Sequence, residues 1–386
     1  MIIGIPKEIL KGEKRVSATP QTVKKMIRDG HQVFVEKNAG VDSFYLDQEY
    51  IEAGAIILED IKELYAKADV VLKVKEPQVN DKVGQHEIEM MRKGAILITF
   101  LHPANHVNHE MVLMLKDKGI TSFTLDGVPR ISRAQAMDAL SSMSTCAGYK
   151  SVMMAANSLP KFLPMIGSAV GMIRPGNVFV VGCGVAGLRA IATAKGLGAQ
   201  VYACDIRAEA VEQAKSLGAR IVELNIPKEV AVSSDGKHAN HLPKEYLLQE
   251  REQIKDAVQN ADILILCALV FGKQAPILVT EEMVKSMKTG SYIVDISIDQ
   301  GGNCALTQPA EVIEIHGVKI DGTKNIPGMI PTSSTYMFSE NIYNFLKYLV
   351  RDNKLYLDMN DEIISSTIVT YKNKLLHEGT IEAMRQ

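Results

Sequence analysis

Gly182, Gly184 and Gly187 stand at the spacing G-x-G-x-x-G, directly after the apolar run 177–181 and at the start of a helical pattern over 186–197. That arrangement suits a phosphate. The first glycine permits a tight turn, the second lets the backbone approach a pyrophosphate, and the third lets helix and strand pack closely. The helix N-terminus adds amide donors and a partial positive charge. A second apolar run, 199–204, ends in Asp205, 18 residues after Gly187. A carboxylate there accepts from ribose hydroxyls and repels a 2′-phosphate, so NAD(H) is expected over NADP(H), with Arg207 leaving slight ambiguity. Glycine spacing alone is weak evidence; the flanking strand, the helix and the second-strand acid make it specific. Val185, Ala186, Ile206 and Leu269 complete the expected nucleotide-binding set.

The elements that hold this turn read as an α/β protein. Residues 2–5, 32–36, 70–74, 95–100 and 120–124 read as strands, with helical patterns such as 20–29 and 108–118 between them. Residues 177–322 repeat the rhythm, with strands near 178–182, 200–204, 263–267, 291–296 and 319–321. Strands alternating with helices imply parallel, doubly wound sheets. Two Rossmann-like domains are therefore expected, 1–129 with 345–386 and 130–344, linked by long helices and with a cleft between them. The first linking helix is predicted over 132–158, opened by a Ser132/Gln135 capping box; the second lies around 339–349. Strand-like 354–357 opens an ending that returns to the first domain. The polar segment 228–252 interrupts the second domain as an unusually long connection.

Bulk properties exclude several classes. The 386 residues carry 43 basic and 45 acidic side chains, a balance without a footprint for nucleic acid or an anionic membrane. The five cysteines have no paired spacing, which reads as a reducing cytosol without disulfides or zinc. The N-terminus is unlike a secretory signal, and no run approaches the ~18–20 apolar residues of a membrane helix. The chain is expected to be soluble by itself and cytoplasmic.

Two stretches identify a family. The segment 128–142 (VPRISRAQAMDALSS) with Ala147-Gly148-Tyr149, and Gly182–Leu188 with 190–195, resemble the NAD(H)-binding subunit of proton-translocating NAD(P) transhydrogenase. The resemblance covers almost the whole chain. It implies a component that holds NADH so that hydride passes directly to NADP(H) on a partner subunit; orientation and exclusion of water are required, not an acid or base. By motif, Arg130, Gln135 and Asp138 orient the nicotinamide, with Ser141 close by. Without the resemblance, Gln135 reads as a capping residue and Arg130–Asp138 as a surface ion pair. Further implied are a homodimer, membrane-spanning and NADP(H)-binding partner subunits, and a place on the inner face of the cell membrane when assembled. The insertion 228–252 is implied to be a mobile loop closing over nucleotide. Its tip departs from the family pattern, with His238 in place of a tyrosine; His238 and His241 lack a third ligand, so no metal is expected.

A second departure points to a different branch of the superfamily. Arg15, Lys75, His102 and Asp299 resemble the catalytic positions of alanine dehydrogenase, where arginine and lysine bind pyruvate and histidine is the general acid/base. Many transhydrogenase subunits lack the lysine and histidine. Arg and Lys suit a small anion, and a histidine titrates near working pH; alternatively the set is an interdomain polar network. The segments Pro327-Gly328 and Ser333-Ser334-Thr335 fit either branch. The leading expectation is thus a transhydrogenase subunit, with a free-standing NAD-dependent alanine dehydrogenase as alternative. A non-catalytic NAD-binding module is the third reading, supported only by the altered loop tip.

Overall fold

The computed structural model describes residues 1–232, 239–270 and 274–385. The chain forms two compact units, Met1–Met143 with Gly328–Gln386, and Ser144–Pro327. Each is α/β.

The first unit is built on an eight-stranded sheet in the order Lys374–Leu375, Ile368–Tyr371, Thr121–Thr124, Ile96–Thr99, Val70–Leu72, Ile2–Ile5, Gln32–Glu36, Ile56–Leu58. The six strands from the chain's first third pair in parallel, and Ile368–Tyr371 adds antiparallel to Thr121–Thr124. The ending therefore joins the first unit's sheet. One buried charge cluster stands just past the Val70–Leu72 strand. Lys73 is fully buried, its Nζ 3.0 Å from Glu87 Oε1 and 3.3 Å from Glu8 Oε2. Tyr65 donates to Glu87 Oε1 at 2.6 Å, and the Val74 N–H donates to Glu8 Oε1 at 2.6 Å.

The second unit has a seven-stranded sheet in the order Arg220–Ile221, Gln200–Cys204, Asn177–Val181, Ile263–Leu266, Tyr292–Asp295, Val318–Asp321, Val312–Ile315. All pairs are parallel except the last hairpin. Strand order reverses between Asn177–Val181 and Ile263–Leu266, the switch point where open α/β sheets bind ligands. Alternate residues face opposite layers. Val178 and Val180 pack with Ala190, Ile191 and Ala194 on one face. Phe179 and Val181 pack with Ile254, Val258 and Met283 on the other. The sheet is doubly wound, as its sequence pattern predicts.

Three expectations need correction. The helix over 132–158 is two elements: a 3-10 turn Ser132–Met137, then helix Ala139–Ser158. Ser132 caps nothing; Asp138 does, its Oδ1 accepting from the Ser141 N–H at 2.8 Å and its Oδ2 from the Ser141 hydroxyl at 2.6 Å. Burial of Ala134 and Met137, and an Asn341 amide donating to the Ala136 carbonyl at 3.0 Å, hold the tighter turn. These contacts also place 130–143 and 328–344 with the first unit. The second long helix starts at Pro331 rather than 339, because proline suits a first turn. Finally, 228–252 is largely helical, with helices Lys228–Ala231 and Lys244–Asn260. The bridge Val232–Ala239 closes its base; the tip, including Gly236 and His238, lies outside the described residues.

Candidate functional site

In the second unit the glycine turn joins the Asn177–Val181 strand to helix Val185–Gly196, with Gly184 as N-cap. Gly182 adopts φ +92°, which disfavours any residue with a side chain. A Cβ at Gly187 would fall 1.9 Å from the Gly182 carbonyl oxygen, so only glycine lets the helix start against the turn. At Gly184 a Cβ would meet only the Arg207 guanidinium, at 3.9 Å. No side chain caps the helix, and its first turn carries no acid. The space before the turn is open and the first N–H groups have no side-chain partner, so the cradle fits a pyrophosphate.

Asp205 stands at the end of the neighbouring strand with little exposure. Its Oδ2 accepts from the Cys183 N–H at 2.7 Å, tying the acid to the turn. Arg207 forks onto it, Nε at 3.0 Å from Oδ1 and Nη2 at 2.9 Å from Oδ2. Three thiols surround the turn. Burial pushes the Cys183 thiol up to about 12 and raises Cys204 and Cys267 strongly, so all three are protonated, inert packing groups. Leu269 is exposed in the loop after Ile263–Leu266, beside Gly182.

The first unit holds the other candidates. Arg130 and Gln135 are exposed, and Asp138 turns its carboxylate to Ser141. Neither the Gln135 cap nor an Arg130–Asp138 ion pair is present among the described residues. Arg15, Lys75 and His102 come together. Arg15 is buried and forks onto Glu13, Nε at 2.7 Å from Oε1 and Nη2 at 2.6 Å from Oε2. Burial works against the Glu13 carboxylate, but Arg15 and the charge of Lys75 hold it below the usual range. Lys75 also acts on His102. His102 is held at φ +43°, its Nδ1 2.8 Å from Asp126 Oδ1 and its N–H donating to Oδ2 at 2.8 Å. Burial opposes the imidazolium, yet Asp126 raises its pKa above the ordinary value. Asp299 belongs to the second unit, exposed on the 3-10 turn Ile296–Gln300 and 3.7 Å from Lys324 Nζ.

Family models for "Alanine dehydrogenase/PNT, N-terminal domain" and "Alanine dehydrogenase/PNT, C-terminal domain" match residues 4–147 and 151–378. The chain belongs to the alanine dehydrogenase/PNT family. Within it, the chain is 39% identical to the first portion of the split NAD(P) transhydrogenase subunit alpha of Rhodospirillum rubrum, over 98% of both chains. It is 36% identical to alanine dehydrogenase of Bacillus subtilis, over 87% of this chain and 82% of that one. The solved transhydrogenase from Sinorhizobium meliloti superposes with a TM-score of 0.84 at 35% identity, covering 98% of this chain and 99% of that one. Both named activities are oxidoreductions. No helix among the described residues is long and apolar enough to cross a membrane.

Several residues of this alanine dehydrogenase/PNT chain escape sequence reasoning. Gly148 is one: a Cβ there would sit 2.1 Å from the Ala186 carbonyl, so helix Ala139–Ser158 crosses the phosphate helix in backbone contact. Its place in the AGY motif was the only signal. Asn303, fully buried, accepts from the Ala268 N–H at 2.9 Å and donates to the Ala268 carbonyl at 2.9 Å, fixing the loop that carries Leu269. Asp126 and Glu13 orient His102 and Arg15. Replacing Asp126 by Asn removes the charge that favours His102 protonation, so the ring's pKa is expected to fall; an NMR titration of the histidine Cε1–H signals checks this. The linkage sign follows. With His102 raised in the folded state, its contribution is full below the unfolded value and fades as pH rises through the folded one. An unchanged titration would show that Asp126 has no hold on the ring.

Proposed function

We propose that this chain is the NAD(H)-binding subunit of a proton-translocating NAD(P) transhydrogenase. It holds NADH on the second unit and presents the nicotinamide for direct hydride transfer to NADP(+) carried by a partner subunit. Membrane-spanning subunits couple the transfer to proton movement, with this chain docked on their inner face. The observation that carries the reading is the end-to-end likeness to the first portion of the Rhodospirillum rubrum alpha subunit, at 39% identity. The uncapped glycine turn and Asp205 supply the nucleotide site, and the exposed Arg130 and Gln135, with Asp138 and Ser141, are the residues proposed to orient the nicotinamide. Val185, Ala186, Ile206 and Leu269 are proposed to complete the cofactor contacts. Hydride leaves C4 of NADH as it becomes NAD(+) and arrives at C4 of NADP(+), so no protein acid or base is needed. Mixing the purified chain with the NADP(H)-binding and membrane subunits of a related enzyme is expected to give NADPH from NADH; no NADPH would refute the proposal.

A homodimer belongs to the same proposal. The exposed apolar side chains Phe162, Met165, Val170 and Met172, around the hairpin Ile166–Ser168 and Gly171–Ile173, offer a surface for a second copy. Sedimentation velocity distinguishes dimer from monomer.

The gathering of Arg15, Lys75 and His102 in the first unit favours a second reading, a free-standing NAD-dependent alanine dehydrogenase. In it, Arg15 and Lys75 bind pyruvate, His102 moves the proton, and Asp299 completes the set. NADH oxidation by the chain alone with pyruvate and ammonium would establish this reading and sink the first.

A further inference from the structure

Helix Lys244–Asn260 rests Ile254 and Val258 against Phe179, Val181, Cys204, Leu264 and Leu266. Continuing that stripe by one turn toward the N-terminus gives Glu250, which is only 5% exposed. A helix leading into a parallel strand runs opposite to it, so this turn lies toward the C-terminal edge of the sheet, where Gly182 and Asp205 stand. A carboxyl therefore occupies a core position behind the nucleotide turn. Among the described residues it has no hydrogen-bond or ion-pair partner. The adjacent Arg251 turns its guanidinium to the Ile277 carbonyl, at 2.8 and 2.6 Å. Burial, with the charge of Asp205 added, pushes the Glu250 carboxyl up to about 7; Arg251 offsets this incompletely. The nearby Cys204 thiol is protonated.

We propose that Glu250 is a specificity residue of the nucleotide site, setting with Asp205 the preference for a free ribose 2′-hydroxyl over a 2′-phosphate. The proposal rests on the reading that the second unit binds NAD(H). Asp205 and Arg207 neutralise each other, and a guanidinium held in a fork is also a ready phosphate partner. That pair alone discriminates weakly. Glu250 supplies the charge that Arg207 does not cancel, from a buried position where solvent screens it poorly.

The test uses calorimetric titration of the full chain with NADH and NADPH at pH 6 and pH 8. In Glu250→Gln, the NADPH-to-NADH ratio of Kd values is expected to fall about tenfold at pH 8, the order expected of one poorly screened charge. At pH 6, where Glu250 is largely protonated, wild type and variant are expected to converge. The 2′-phosphate's own titration is common to both proteins. Glu250→Leu, which removes charge without adding an amide, is expected to give the same ratio as the glutamine variant. An unchanged ratio at pH 8, or an equal change at both pH values, overturns the proposal while leaving NADH binding intact. Wild-type protein that binds no NADH overturns the reading of the second unit itself.

Discussion

Gly187→Ala is expected to lower the NADH affinity of the chain by at least ~100-fold, the penalty of displacing a binding element by about an ångström. The added methyl would lie 1.9 Å from the Gly182 carbonyl oxygen and 2.9 Å from its carbon. That neighbour is backbone, so no rotamer change relieves the clash. Helix Val185–Gly196 must move away from the turn, taking its amide donors with it. Gly196→Ala is the matched control. It lies at the end of the same helix, and a Cβ there meets nothing within 4 Å. Its expected effect is unchanged affinity and a slight gain in stability, because alanine restricts the unfolded chain more than glycine does. Calorimetric titration with NADH, alongside circular dichroism to confirm folding, reads both. Equal affinities in the two variants would mean that the turn does not carry the nucleotide.

Lys73→Met is expected to destabilise the first unit by about 3–5 kcal/mol, as removal of one partner from a buried ion cluster does. In a unit of this size that is a fall in Tm of roughly 10 °C. Lys73 is fully buried, and its ammonium faces both Glu8 and Glu87. Burial is the largest influence on Glu8 and, against the pull of Lys73, leaves its pKa at about 7, above the ordinary 4.5. A carboxyl raised on folding contributes stability below its unfolded value and loses it as pH rises through the folded one. In wild type that loss runs from about pH 4.5 to 7. Without the lysine both acids rise further, so the stability gap between wild type and variant should widen from pH 5 to pH 8. Thermal unfolding followed by circular dichroism at these pH values measures it. A gap that does not change with pH would show that packing, not charge, holds this cluster.

What could be read from the sequence were features whose cause is local. The Asn177–Val181 strand, the glycine spacing and Asp205 all announce themselves within 30 residues, and strand alternation announces both sheets. What could not be read depends on tertiary contact. Ser132 and Gln135 match a capping box, yet burial of Ala134 and Met137 tightens that turn and passes the cap to Asp138. Lys73 looks like one more solvated lysine until the fold closes Glu8 and Glu87 around it. Gly148 and Asn303 matter because of Ala186 and Ala268, partners distant in sequence. Arg15, Lys75 and His102 were legible as residue types, but their supports Glu13 and Asp126 were not.

The central claim is that hydride passes straight from this chain's nucleotide to NADP(+) on a partner subunit. NADH deuterated at C4 on the transferred face, mixed with the chain, its partner subunits and NADP(+), tests it most directly by mass spectrometry of the products. The account predicts deuterium at C4 of NADPH, none released to water, and no alanine formed when pyruvate and ammonium are present. Deuterated alanine, with NADPH unlabelled, would contradict it.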